Sequence, residues 1–333
     1  MKKIPVLTLA LPALMLPALA LTAQVAHAET TLRLSTYVNK VDVRYEGFEK
    51  FAALVEEKTQ GEVKIQIFPS STLHGWSEGV DAVAGGIADI SWVPADNRLP
   101  CYRVTSLYPA QIDMERQHEL DAAYTELVRD EAAEVGLVPV FNSNYSYDQE
   151  WWFKSPVNDI TQLDGQLVRS IGPLVSLMIT SWGGEPVFVS PKEVFQSAER
   201  GVVDGINMGV ATYSSWQLWD VMPYMVNASL FYGNMQYMMN KGKFEGLSEA
   251  EQHALQEAAS EAESWLKPRY EAWVNERVGQ AVMQGGGAAV SLDEDKSQAI
   301  VESIAGQWAA TVEESCGADM AKQMTSLFEE YSR

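Results

Sequence analysis

Short apolar runs that read as strands alternate with segments of helical spacing, and this alternation occurs twice along the chain. "TLRLST" (Thr31–Thr36) opens as a strand. Val43, Phe48, Phe51, Ala52 and Val55 then recur at helical spacing, and Gly61 follows the end of that helix. In "EVKIQIFP", Val63, Ile65 and Ile67 alternate, and Pro69 closes the strand. A shorter helix from about Glu78 to Ala84 stops at Gly85-Gly86, and "ADISWVP" reads as a strand. Leu120, Tyr124, Leu127 and Val128 mark another helix, ended by Gly136, before the strand "LVPVF". A chain with this rhythm covers its strands by laying helices on them, which predicts an α/β unit with a largely parallel sheet. After "NSNYSYDQEWWFKS" the rhythm restarts with "QLVRSI", "PLVSLMITSWGG", "PVFVS", "PKEVFQSAERG" and "VVDGINM". This predicts a second, smaller α/β unit, with "NASLFYGNMQYMMNKGKF" as a long strand leading back out of it.

A long helix follows. Ser248 and Glu251 have the spacing of a capping box. The apolar stripe Leu255, Ala259, Ala262, Leu266, Tyr270, Trp273, Val274 and Val278 persists to about Val282, with Pro268 inside it as an expected kink. A helix of that length can brace two units or pack along one. The expected division is residues 29–150 plus about 235–262 as lobe I and 151–234 plus about 263–333 as lobe II, the helix at about 248–283 spanning both.

The N-terminus fixes the compartment. Lys2 and Lys3 precede the apolar run "IPVLTLALPALMLPALALTA", and "AHA" at Ala26–Ala28 is a small-x-small cleavage triplet. This pattern predicts a secretory signal peptide (residues 1–28), cut after Ala28, and a periplasmic product. No later stretch has the apolar length of a membrane span. The whole chain carries −21, and removing two lysines with the leader leaves −23. Such a surface repels nucleic acid and anionic membranes, so any anion must be held in a locally basic pocket. Cys101 and Cys316 allow one disulfide in an oxidising compartment, although spacing alone does not show that they meet.

The inventory for catalysis is thin. His74, His118 and His253 are scattered without metal-ligand spacing, and no nucleophile elbow, zinc-protease helix or phosphate-cradling loop is present. "GGG" at Gly285–Gly287 follows a helix and lacks dinucleotide spacing. No metal or cofactor is expected. More informative is "LDGQLVRSIG" (Leu163–Gly172), a turn leading into a strand that reads as buried yet carries Arg169. A buried guanidinium is costly unless paired, either with an acid of the protein or with one arriving from outside. Aromatic residues gather near predicted strand ends: Trp92 after "ADIS", Trp151 and Trp152 at the junction of the units, and Tyr213, Trp216 and Trp219 after "DGINM". In open α/β sheets, ligands meet residues at the carboxyl ends of strands. Trp92 and Tyr213 fit that position; Trp219 reads better as core.

Four segments together resemble one family. "FEKFAALVEEKTQGEVKIQIFPSSTL" (Phe48–Leu73), "AVAGGIADIS" (Ala82–Ser91), "LDGQLVRS" and "GGEPVFVSPKEVFQSAERGVVDG" (Gly183–Gly205) are similar, in order, to motifs of the DctP-type solute-binding subunits of tripartite ATP-independent periplasmic (TRAP) transporters. The resemblance extends over essentially the whole chain after the leader. It implies a two-lobe periplasmic binding protein with a ligand cleft between the lobes and the long helix as brace. It also implies that Arg169 binds the carboxylate of an organic acid, a task its planar fork suits by two parallel charge-assisted hydrogen bonds.

The same resemblance places Asn207 near the ligand, where many relatives carry an acid; a turn asparagine beside Gly205 is the alternative. Asn144, in the cross-over, has the same two readings. Tyr37 lies where relatives often touch ligand, and with Trp92, Trp152 and Tyr213 could form an aromatic wall. Ring faces bury apolar surface and offer few hydrogen bonds. The expected ligand is therefore a monocarboxylate with an apolar or aromatic body. The implied partners are small and large integral-membrane TRAP subunits, with the receptor itself a monomer and no part for nucleic acid. A periplasmic enzyme on a similar scaffold, or a receptor feeding a signalling partner, are the rival readings; turnover of a bound acid would mark the first.

Overall fold

A computed structural model describes residues 29–94, 96–143, 149–285 and 287–332. The expected leader and Asn144 lie outside the described residues. Two main sheets organise the chain. The first has strand order Val63–Phe68, Thr30–Ser35, Ile90–Trp92, Gln236–Asn240, Leu137–Asn142. Thr30–Ser35 pairs in parallel with both its neighbours, so Leu32 sits against Ile65 and Leu34 against both Ile67 and Ile90. Helix Val43–Lys58 begins where the Asp42 carboxylate accepts from the Arg44 N–H, and it buries Phe48, Phe51, Leu54 and Val55.

The second sheet has strand order Ala289–Ser291, Tyr224–Asn227, Gln149–Phe153, Gly205–Gly209, Leu167–Ser170, Glu185–Phe188. Its last three strands are parallel, while Gln149–Phe153 runs antiparallel to both its neighbours. The first sheet likewise takes Gln236–Asn240 as an antiparallel insertion between parallel strands. Sheets are thus mixed, because two segments that cross between them re-enter in the opposite direction. The expected long strand over Asn227–Phe244 is divided: Tyr232–Gly233 pairs with Leu107–Tyr108, Gln236–Asn240 enters the first sheet, and Lys241–Glu245 is helical. Asn240 stops the strand by capping that helix, its side chain accepting from the Lys243 N–H.

The long helix runs unbroken from Glu249 to Gly285 through Pro268. Leu255, Ala258, Ala259 and Ala262 join the larger core, which holds the first sheet and part of the second, and the helix packs on Leu137–Asn142. Leu266, Tyr270 and Val274 join the core around the second. The switch of partner falls beside Pro268, and one helix therefore packs on both units.

The last two helices are Glu294–Cys316 and Ala318–Glu330, and the first of them also touches Pro173–Ser181 of the second unit. They pack on Pro100–Thr105 and Gln117–Glu134. Trp308 donates its indole N–H to the Val104 carbonyl at 3.0 Å, and Phe328 stacks on Tyr108 with ring centroids 3.6 Å apart. Cys101 and Cys316 are disulfide-bonded, which answers the question their spacing left open.

Candidate functional site

A cavity lies between the two sheets and is lined from both units. Its polar lining includes Arg169, Gln149, Ser106 and Thr212, and its apolar lining includes Trp92, Trp76 and Met235. Among the described residues, none that lines it is an aspartate or glutamate. Arg169 is 2% exposed. Its Nε donates to the Val189 carbonyl at 2.8 Å and its Nη1 to the Asn207 carbonyl at 2.7 Å. Two neighbouring strand ends thus fix the plane of the fork while leaving Nη2 unused. Among the described residues no acid pairs with it. Burial lowers the Arg169 pKa to about 10, with Tyr37 opposing. The group stays cationic at neutral pH but lacks a counter-charge, which an arriving carboxylate would supply.

The second buried guanidinium, Arg44, behaves differently. It donates to Asp42 through Nε at 2.9 Å and Nη2 at 2.6 Å. Its Nη1 donates to the Tyr37 hydroxyl at 2.8 Å, and Nη2 also reaches the Thr212 hydroxyl at 2.7 Å. Burial alone would depress its pKa, but Asp42 and Tyr37 hold it well above the ordinary value. Arg44 thus positions two cavity residues, Tyr37 from the first unit and Thr212 from the second, and is spent in doing so.

Above the fork sits an aromatic group. Trp76 meets Tyr37 edge-on with centroids 4.7 Å apart, and Trp76 and Trp92 lie 5.1 Å apart. Trp92 occupies the end of strand Ile90–Trp92, and Trp76 opens the short turn of helix before Gly79–Ala84.

The model for "Bacterial extracellular solute-binding protein, family 7" (DctP) matches residues 34–315. The chain belongs to this DctP family. Among curated relatives, the 2,3-diketo-L-gulonate-binding periplasmic protein YiaO of Escherichia coli is 24% identical over 77% of this chain and 79% of that protein. Among solved structures, DctP7 of Bordetella pertussis, an extracytoplasmic solute receptor binding pyroglutamic acid, superposes with TM-score 0.79 at 23% identity, covering 90% of this chain and 99% of that one. A TRAP periplasmic solute-binding protein from Desulfovibrio salexigens with bound orotic acid gives TM-score 0.82 at 19% identity, covering 91% and 98%. This DctP chain therefore has the two-lobe fold of TRAP solute-binding proteins. Among its described residues, no helix is long and apolar enough to cross a membrane.

Within the DctP fold, three of the residues expected at the site come together: Arg169, Tyr37 and Trp92 all line the cavity. Three do not. Trp152 and Tyr213 are fully buried and stacked on each other at 3.5 Å, in the core of the second unit. Their polar ends are taken by the carbonyls of Met208 and Met222. Trp152 lies within strand Gln149–Phe153 and Tyr213 in the helix that follows Gly205–Gly209, and both side chains pack into the core of the second unit. Asn207 contributes through its backbone, as the carbonyl that holds Arg169, while its Nδ2 donates to the Glu150 carbonyl at 3.2 Å. Its neighbours Met208 and Gly209 line the cavity instead.

Trp76, Gln149 and Thr212 were not legible as site residues. Gln149 begins a strand inside a segment that reads as a connection. Its position at the entry to the second unit was the available signal.

Proposed function

We propose that this chain is a periplasmic TRAP receptor that captures a small organic monocarboxylate. Arg169 is the anchor, and a compact, partly apolar or aromatic body lies against Tyr37, Trp76 and Trp92. The observation that carries this reading is a buried, planar-fixed guanidinium without an acid partner among the described residues, facing a cavity without acidic lining. In a protein of net charge −21, such a site is a local exception to the global field. Pyroglutamic and orotic acids, bound by two of the structural neighbours, are ring carboxylates and are consistent with it. The loaded monomer, with the sheet of Thr30–Ser35 and its neighbours in one lobe and the sheet of Gln149–Phe153 and its neighbours in the other, then docks on its membrane subunits.

The test is a thermal-shift and calorimetry panel of pyroglutamate, orotate, benzoate and galactonate. A ligand binding only the folded state at 100 times its dissociation constant adds about 2.7 kcal/mol. The expected result is a shift with ring monocarboxylates that Arg169→Gln abolishes and Arg169→Lys partly keeps. Recovery of the acid unchanged is also expected. A shift with galactonate alone would overturn the ligand class, and a shift that survives Arg169→Gln would overturn the anchor.

A further inference from the structure

The cleft has a second unpaired arginine, at its mouth. Arg103 sits on the short helix Pro100–Thr105 and lines an open groove with Asn97, Ser170, Ser176 and Phe188. This groove and the inner cavity share Trp76 and Ile171, so the two adjoin. Among the described residues, the groove lining holds no acid, and Arg103 is its one charged residue. Its Nε is buried and makes no hydrogen bond. The contrast with Arg98, five residues earlier, is plain: Arg98 is paired with both Asp96 and Asp81.

Arg103 is also held firmly. The Glu131 carboxylate accepts from the N–H groups of Cys101 and Tyr102 at 2.7 and 2.9 Å, pinning the start of the helix. The Cys101–Cys316 disulfide ties it to the C-terminal helix, and Trp308 binds the Val104 carbonyl. The same helix puts Tyr102 on the cavity and Arg103 on the groove. It is a rigid mount with consecutive side chains serving the inner and outer chambers.

We propose that Arg103 forms an outer carboxylate site that captures the incoming acid at the cleft mouth before Arg169 takes it. This rests on the carboxylate reading above and extends it to the route of entry. A single cation at a concave mouth raises the local concentration of an anion that the rest of the surface repels, so its effect falls on the association rate and is screened by salt.

The experiment is stopped-flow tryptophan fluorescence with the panel carboxylate that gives the largest thermal shift. Arg103→Gln is expected to lower the association rate constant roughly three- to tenfold at low ionic strength. The deficit should shrink in high salt, with the dissociation rate unchanged. Arg103→Lys should keep most of the rate. Lys322→Gln removes the same charge from an exposed position on the C-terminal helix and should leave the rate within about twofold. An association rate for Arg103→Gln equal to that of Lys322→Gln overturns the proposal. So does a deficit insensitive to salt, or one confined to dissociation. If no panel carboxylate binds the unaltered chain, the reading of Arg169 fails first and the outer site falls with it.

Discussion

The Cys101–Cys316 bond closes a loop of 215 residues, and its removal should be felt mainly in the unfolded state. In the chain-entropy treatment, a cross-link over that span removes about 18 cal/mol/K from the unfolded ensemble, or roughly 5 kcal/mol at 25 °C. The double variant Cys101→Ala/Cys316→Ala should lose up to that amount. Folded-state losses should be small, because helix Pro100–Thr105 stays tied by Glu131 and Trp308. For a chain of about 300 residues the unfolding entropy is roughly 0.6 kcal/mol per degree, so the melting temperature should fall by about 8 °C. Urea titration of both proteins measures it. Midpoint and ΔG should drop, and the slope m should rise, since an unlinked chain exposes more surface when unfolded. A loss below about 1 kcal/mol with unchanged m would refute the unfolded-state argument. A large loss with unchanged m would place the effect in the native packing of the C-terminal helices.

Other outcomes follow from particular contacts. Burial raises the Asp121 carboxyl to about 7 and that of Glu263 to about 8. Folded-state values above the unfolded ones mean that the native chain holds extra protons between about pH 4 and pH 8, so this pair withdraws stability as pH rises through that window. Urea midpoints at about pH 5 and pH 8 should therefore diverge more for the unaltered chain than for Asp121→Asn/Glu263→Gln; equal divergence would exclude the pair as the source. Trp92→Ala should weaken ring carboxylates roughly tenfold, the scale of one aromatic contact of about 1–1.5 kcal/mol, and acyclic acids less; calorimetry showing equal losses would remove Trp92 from recognition. At Gly205 an added Cβ would lie 2.4 Å from the ring of the cross-strand neighbour Phe153, itself buried. Gly205→Ala should cost about 1–3 kcal/mol, and an unchanged urea midpoint would show that the ring can move aside.

Much of the architecture was legible because it depends on local periodicity. Helix Val43–Lys58, strand Val63–Phe68 and the long helix from the Ser248 cap each announce themselves by spacing and by the residues at their ends. Arg169 was legible for a related reason: a guanidinium in an apolar strand is an energetic anomaly that needs a partner. Trp152 lies within a strand and Tyr213 in the helix after one, and such positions in sequence do not say whether a ring turns toward the cleft or into the layer beneath. Asn207 gives its carbonyl to Arg169, and sequence cannot separate a side chain that would meet a ligand from a carbonyl that holds another residue in place.

Sequence by itself determined the two α/β units, the acidic surface, the bracing helix and the anomalous arginine, because each is a matter of composition or of spacing within a few residues. Only the tertiary structure decided the rest. Among the described residues, Arg44 has an acid partner and Arg169 has none; Cys101 reaches Cys316 across the chain; Trp76 joins Tyr37 and Trp92; and Arg103 has no acid partner while Arg98 has two. These are relations between segments far apart in sequence. Whether a charge is satisfied depends on what packing brings within hydrogen-bond reach, and no local pattern carries that information.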